Sequence, residues 1–414
     1  MDILIATIGS RGDVQPYTAL GVALRDAGHD VTLATHEPFR GFVTGYRLNF
    51  APLPGDPQAV LQTERAQELF TTGRSLVRFA GRFIGVLRPW LDALIDSTRG
   101  LVEGRDLVLY SPLAFTVWHQ AEAHGVPAWL ATLQPFSRTR AFSTVPSGGA
   151  DLGGPANLMS HVATEHLFWQ PLRKEIDRWR TKELGLEPLG LRGPYPELRR
   201  RNDVQLCGFS AALVPRPRDW PDTVRVTGPW ILDQSPQPDD ALGAFVDAGE
   251  PPVYIGFGST VEGDSRALSN IAIDAARRTR ARLVLGSGWA GFSGEHGDDV
   301  FVVGEAPHQH LFPRMAVVVH HGGAGTTHTA SRAGVPQVIV PFWADQPFWA
   351  RRVHEAGAGP PPVPRNHLDA ARLAAAIRQA TTQQYADGAR SLAIRMAREP
   401  GVTGAARVIE HNTG

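Results

Sequence analysis

The segment His320-His321-Gly322-Gly323-Ala324-Gly325-Thr326-Thr327 carries the residue types best suited to holding an anion. The apolar run 315–319 delivers it, and a helix-like stretch, 326–333, follows. Glycines let the backbone approach an anion closely, and the free N–H groups and positive end of the following helix hold it without a lysine. Two histidines at the mouth add hydrogen bonds or charge. The same residues also suit an ordinary glycine-rich turn from strand to helix, so both readings stand on this segment alone.

Such a cradle needs a sheet behind it, and the chain has the grammar of one. Three times a helix-like stretch closes on glycine and an apolar strand begins within a few residues: Ala27-Gly28-His29-Asp30 leads into 31–34, His124-Gly125-Val126-Pro127 into 128–131, and Ala333-Gly334-Val335-Pro336 into 337–340. Glycine accepts the left-handed cap conformation and proline cannot prolong a helix, so each is a helix stop before a buried parallel strand. The alternation predicts a doubly wound α/β architecture, and the lack of a fixed period excludes a solenoid. The apolar start Asp2-Ile3-Leu4-Ile5-Ala6-Thr7-Ile8 reads as a buried first strand, too short for a signal peptide or a spanning helix.

The 414 residues are 43% hydrophobic and 20% charged, which suits two or three domains at about 100–200 residues each. Lys plus Arg equals Asp plus Glu at 41 each, so no broad field for nucleic acid is expected and a small-molecule partner fits better. The single cysteine, Cys207, excludes an internal disulfide, suits a reducing cytoplasm and reads as a small buried side chain. The polar, proline-rich stretch 233–240 marks a boundary. Beyond it, strands are expected at 253–257, 281–285, 300–303 and 317–320, with a helix at 264–279. Two Rossmann-like domains facing each other across a cleft follow, with ligands beyond the carboxyl ends of the strands. The expected division is 1–232, a linker at 233–244, a second domain at 245–385, and terminal helices at 386–414 packing back on the first domain.

The opening Gly9-Ser10-Arg11-Gly12-Asp13-Val14-Gln15-Pro16, Gly228-Pro229-Trp230, Gly256-Phe257-Gly258-Ser259, and His321 through Thr326 with Pro341-Phe342-Trp343-Ala344-Asp345-Gln346-Pro347 resemble bacterial family 1 glycosyltransferases. The resemblance spans nearly the whole chain and points to the branch holding glycopeptide-antibiotic, sterol and polyketide glycosyltransferases. It implies the GT-B fold, a nucleotide sugar bound by the C-terminal lobe, an acceptor bound by the N-terminal lobe, and inversion at the anomeric carbon with no metal or cofactor. UDP-glucose or a dTDP-sugar would be the co-substrate.

Inverting transfer needs a base for the acceptor hydroxyl. Asp13, in the loop after the first strand, is the candidate, since the matching aspartate of the family has that role; capping of a helix beginning near 14–17 is its other reading. Stabilising the leaving diphosphate falls to His321, Gly323, Gly325, Thr326 and Thr327, with Ser259, Ser10 and Arg11 reaching from other loops. His320, at a strand end, reads as a packed, hydrogen-bonded histidine. Asp345 and Gln346 match the family's sugar-binding pair: the carboxylate accepts from two hydroxyls, and the amide both donates and accepts. Capping by Asp345 is the alternative. Trp289 and His308 are the candidates for the nucleobase.

On the acceptor side, 70–95 carries Arg74, Arg78 and Arg82 at helical spacing among apolar residues, and 134–161 reads as a long loop of the kind that covers substrates. A solvated arginine face is one reading of the former; an apolar pocket or a membrane-touching surface is the other. The Asp pairs 239–240 and 298–299 read as solvated loop rather than metal ligands. The expected function is hexose transfer, glucose by preference, to a hydroxyl of an apolar natural product. A nucleotide-sugar epimerase and a catalytically silent partner protein are the rival readings. A nicotinamide dehydrogenase is disfavoured because neither glycine cluster has the Gly-x-Gly-x-x-Gly spacing.

Overall fold

The computed structural model describes residues 1–61, 63, 76–233, 240–258, 265–286, 297–304 and 307–413. The chain divides into two compact units, the first formed by Met1–Ala211, Arg216–Leu232 and Pro400–Gly414, the second by Ala212–Pro215 and Asp233–Glu399. The segment expected as terminal helices is shared between them: Gln383–Met396 stays with the second unit, and Gly401–Thr413 joins the first.

The first unit is built on strands β1 (Asp2–Ala6), β2 (Asp30–His36), β3 (Asn49–Leu53), β4 (Leu107–Tyr110), β5 (Ala128–Thr132), β6 (Gln205–Cys207) and β7 (Val224–Val226). They lie parallel in the order β3-β2-β1-β4-β5-β6-β7. Helices on both faces bury strands such as Ile3-Leu4-Ile5-Ala6, fully enclosed, which explains their unbroken apolar runs. The strand order reverses between β1 and β4. In parallel α/β sheets ligands bind beyond the carboxyl ends of the strands at such a reversal, where the loops diverge to opposite faces.

The second unit repeats the plan with β8 (Val253–Gly256), β9 (Leu283–Gly286), β10 (Val300–Val303), β11 (Val317–His320) and β12 (Gln337–Ile339), parallel in the order β10-β9-β8-β11-β12. Its reversal falls between β8 and β11, the strand that feeds the glycine cradle. Gly125 and Gly334 end their helices in the left-handed conformation, as the helix stops in the sequence require.

Several expectations shift. The first helix, α1, runs Arg11–Asp26 with Ser10 at its N-cap, so it begins before Asp13 rather than after it. The stretch 70–95 is not one helix among the described residues: helix Leu76–Leu87 gives way at Arg88–Trp90, where Pro89 lacks the N–H that would continue it, and Leu91–Ser97 resumes. Arg78 points to solvent, and Phe79 and Phe83 pack on Phe168 at ring separations of 6.3 and 5.6 Å. Arg74 lies outside the described residues. The expected long loop is shorter, since helix Gly154–Trp169 starts within it. What remains is fastened: the Asp219 carboxylate accepts from the Thr139 hydroxyl and the Arg140 N–H, each at 2.7 Å, and Asn157 donates to the Arg140 carbonyl at 2.9 Å. Cys207 is enclosed, and burial pushes its thiol up to about 12, which leaves it inert.

Candidate active site

In the first unit the site begins where β1 ends at the sheet's reversal. Gly9 adopts φ +142°, and a Cβ there would stand 2.3 Å from Asp13 Oδ2, so only glycine lets the carboxylate lie against the backbone. Asp13 Oδ2 accepts from the Ser10 N–H at 2.8 Å and from the Ser10 hydroxyl at 3.1 Å. Asp13 therefore does fasten the start of α1, by reaching back to its N-cap. Because both donors go to Oδ2, Oδ1 is left to accept from something else. Asp13 keeps access to solvent, yet the protein crowded around it raises its pKa above the ordinary 3.8, with the Ser10 backbone and hydroxyl bonds opposing that rise. A carboxylate so held is a stronger base than a free one. The Arg11 guanidinium lies over the Phe42 ring at 5.1 Å.

In the second unit β11 delivers His320 fully buried. Its Nε2 lies 2.9 Å from Gln337 Oε1, which only accepts, so Nε2 carries the proton and Nδ1 accepts the Gly322 N–H at 3.1 Å. Gln337 in turn donates to the Ser331 hydroxyl at 2.9 Å. Burial above all lowers the His320 pKa to about 3, which keeps this neutral form. The packed, hydrogen-bonded histidine expected at this position is what the structure contains, and it anchors the first glycine of the cradle. Gly322 itself has φ +96°, and a Cβ there would meet Ile339 Cγ2 at 2.8 Å.

His321 lies between two other glycines. A Cβ on Gly258 would come within 3.0 Å of its Cε1, and one on Gly323 within 2.6 Å of its Nε2. Burial lowers its pKa to about 4, and its buried Nδ1 has no hydrogen-bond partner among the described residues. A buried nitrogen without a partner costs free energy unless a ligand satisfies it. Helix Ala324–Ala333 has glycine at its N-cap, Gly323, so no N-cap side chain satisfies its first N–H groups. At Gly325 a Cβ would meet nothing within 4 Å, so packing among the described residues does not require glycine there, and the position is open to close approach by a ligand. Thr327 is buried, its hydroxyl likewise unpartnered among the described residues.

Asp345 stands at the N-cap of helix Gln346–Glu355 but makes no side-chain cap; its Oδ2 accepts from the Trp349 indole at 2.8 Å. Gln346 is buried, and its Oε1 accepts from the N–H groups of Phe342 at 2.7 Å and Trp343 at 3.2 Å. The Gln346 oxygen is thus bonded to the backbone, which leaves its NH₂ as the group able to meet a ligand. Ala344, between Trp343 and Asp345, sits at φ +53°, a conformation costly for a residue with a Cβ. His308 Nε2 lies 3.1 Å from the Tyr254 hydroxyl, and its ring stacks on Phe312 at 4.4 Å. Ser259 and Trp289 lie outside the described residues.

Residues 3–143 match the glycosyltransferase family 28 N-terminal domain, and residues 293–411 the erythromycin biosynthesis protein CIII-like C-terminal domain. A sterol 3-beta-glucosyltransferase of Cryptococcus neoformans var. neoformans serotype D is 34% identical over 99% of this chain and 27% of its own length. The chain belongs to the GT-B glycosyltransferases of family 1. It spans about a quarter of the length of the curated relatives it matches. Among solved structures, the calicheamicin glycosyltransferase CalG4 superposes with TM-score 0.73 at 17% identity, covering 99% of this chain and 97% of its own. A Streptomyces sp. SF2575 glycosyltransferase complexed with thymidine diphosphate gives TM-score 0.58 at 25% identity, covering 99% of each chain. Both have the same two-domain α/β fold as this GT-B chain.

Residues that matter to the arrangement and that patterns in the sequence do not reveal are His36, Gln337, Tyr254, Trp349 and Ala344. Each acts on a partner fixed by folding or through an unusual backbone angle. The short motif Ala333-Gly334-Val335-Pro336 before Gln337 marks a strand, but nothing local marks the glutamine as the partner of His320.

Proposed function

We propose that this GT-B chain is an inverting, metal-independent O-glycosyltransferase that moves a hexose, glucose by preference, from a nucleotide diphosphate sugar to a hydroxyl of an apolar acceptor of sterol or polyketide type. The observation that carries this reading is the N-terminus of helix Ala324–Ala333, capped by glycine, next to His321, whose Nε2 faces the N-cap Gly323 and whose buried Nδ1 has no partner among the described residues. Together they form a site for an anion that gains charge, which is what a leaving diphosphate does. The sterol glucosyltransferases and the thymidine diphosphate complex among the similar proteins support the acceptor and donor classes.

In the proposed step Asp13 Oδ1 accepts the proton of the acceptor hydroxyl while its oxygen attacks the anomeric carbon. The bond from that carbon to the diphosphate oxygen breaks, and its electron pair leaves with the diphosphate. His321, Gly323, Gly325, Thr326 and Thr327 hold the diphosphate, with Ser259, Ser10 and Arg11 as further contacts. Asp345 accepts from sugar hydroxyls and the Gln346 NH₂ donates to one, while Trp289 and His308 receive the base. A cytoplasmic location with peripheral membrane contact fits a sterol-like acceptor; among the described residues no helix is long and apolar enough to cross a membrane.

The test incubates the protein with UDP-glucose or dTDP-glucose and a panel of sterol, macrolide and aromatic alcohols, then weighs the products. A hexose added to an alcohol is expected, with the anomeric configuration inverted. Asp13→Asn keeps an oxygen for the Ser10 N–H but cannot take a proton, so transfer should slow about 100-fold or more while melting and UDP affinity hold. Asp13→Ala should lose stability as well. A fully active Asp13→Asn enzyme removes the base.

A further inference from the structure

We infer that His36 is a positioning residue for Asp13, acting through the backbone of Gly9. This rests on the reading of Asp13 as the base. His36 ends β2, the strand beside β1, and its side chain is buried. Its Nδ1 lies 2.8 Å from the Pro54 carbonyl oxygen, which only accepts, so Nδ1 carries the proton. Nε2 is then the lone-pair nitrogen, and it accepts the Gly9 N–H at 3.1 Å. Only the neutral imidazole with this tautomer makes both bonds, and burial lowers the His36 pKa, which favours that form.

The link from Gly9 to the carboxylate is steric as well as covalent. Asp13 Oδ2 lies 2.3 Å from where a Gly9 Cβ would be, and the next residue, Ser10, supplies both hydrogen bonds to that same oxygen. A Gly9 peptide released from His36 is free to rotate, and the Ser10 donors and the floor under Asp13 move with it. The imidazole thus ties together the ends of three structural segments, the β1 loop, β2 and the turn after β3, and sets where the carboxylate stands. Misplacing a reacting group by about 1 Å costs on the order of 100-fold in rate.

Two substitutions separate positioning from packing. His36→Asn keeps a donor near Nδ1 for Pro54 but loses the acceptor for Gly9; His36→Gln places an amide oxygen near Nε2. With UDP-glucose and cholesterol as probes, His36→Asn should lower kcat by about 10- to 100-fold while melting and UDP affinity are unchanged, and His36→Gln should recover most of that loss. In an Asp13→Asn background, His36→Asn should add no further loss. Equal losses in Asn and Gln with a lowered melting point would show a packing role and overturn the inference, as would a fully active His36→Asn enzyme or losses that add in the double variant. An active His36→Asn beside an inactive Asp13→Asn overturns this inference alone; a fully active Asp13→Asn overturns the base assignment and this inference with it.

Discussion

Gly325 separates what the fold needs from what a ligand needs. The cradle contains three glycines, and two of them are required by the protein: Gly322 by its backbone angle and by Ile339, Gly323 by the His321 ring. Gly325 faces open space in the first turn of a helix. Alanine there should stabilise the helix by about 0.5–1 kcal/mol, the usual difference in helix propensity, while its methyl group obstructs the approach of a diphosphate to the N–H groups. The expected outcome for Gly325→Ala is a melting point equal to or above that of the parent with UDP affinity reduced, read by calorimetry on one sample. Unchanged UDP affinity would move the diphosphate away from this helix. The glycine pattern itself was legible in the sequence. The division of labour among its members was not, because it depends on what stands opposite each α-carbon.

The end of β11, the loop after it and the helix it feeds carry three histidines held neutral by burial, His320 at about 3 and His321 and His328 at about 4, against an ordinary 6.5. The sign follows from linkage. Between those folded values and 6.5 the unfolded chain binds more protons than the folded one, so stability rises with pH through that window and is lost on acidification. The second unit should therefore melt at progressively lower temperature as pH falls from about 6.5 towards about 4, and His320→Gln should flatten the dependence. Differential scanning calorimetry across that range checks it; a pH-independent melting point would mean that the histidines are not buried neutral in solution. The element itself was readable from its residues, since an apolar run followed by glycines and a helix former specifies strand, turn and helix by local sterics. The neutral state of the histidines was not, because it is set by burial, which depends on how the folded chain packs around them.

Across the molecule, the last helix belongs to the unit that holds the first strand. Ala405, Ala406 and Ile409 are buried in the same apolar cluster as Ile3, Tyr17 and Leu20, and the Gly401 N–H donates to the Thr227 carbonyl at 2.7 Å. Ile409→Ala should destabilise the first unit by about 2–5 kcal/mol, the usual cost of emptying a buried aliphatic site, and leave the second largely unaffected. Hydrogen exchange resolved by segment checks this, since it reads each unit separately where one melting point for the chain does not. Equal loss of protection in 253–340 would show that the two units unfold together.

The sequence by itself determined not β3, β4, β6 and β7 but strands β1, β2, β5 and β8 to β12, the helix stops, the parallel α/β plan, the glycine cradle and the family. Each of these is encoded within about a dozen neighbouring residues, by hydrophobic periodicity, by glycine and proline at helix ends, and by motifs whose spacing reflects backbone geometry. The tertiary structure decided which loops stand at the reversal of each sheet, because strand order is set by crossovers that join residues far apart along the chain. It also decided that Asp13 is bonded to Ser10 within a helix that starts earlier than its residues suggest. The Gln346 oxygen turns back to the Phe342–Trp343 backbone, and His36 meets Gly9 across 27 positions. A hydrogen bond has no signature in local composition when its partner arrives only through folding, so the side chains that hold the site in place were hidden while the motifs they hold were not.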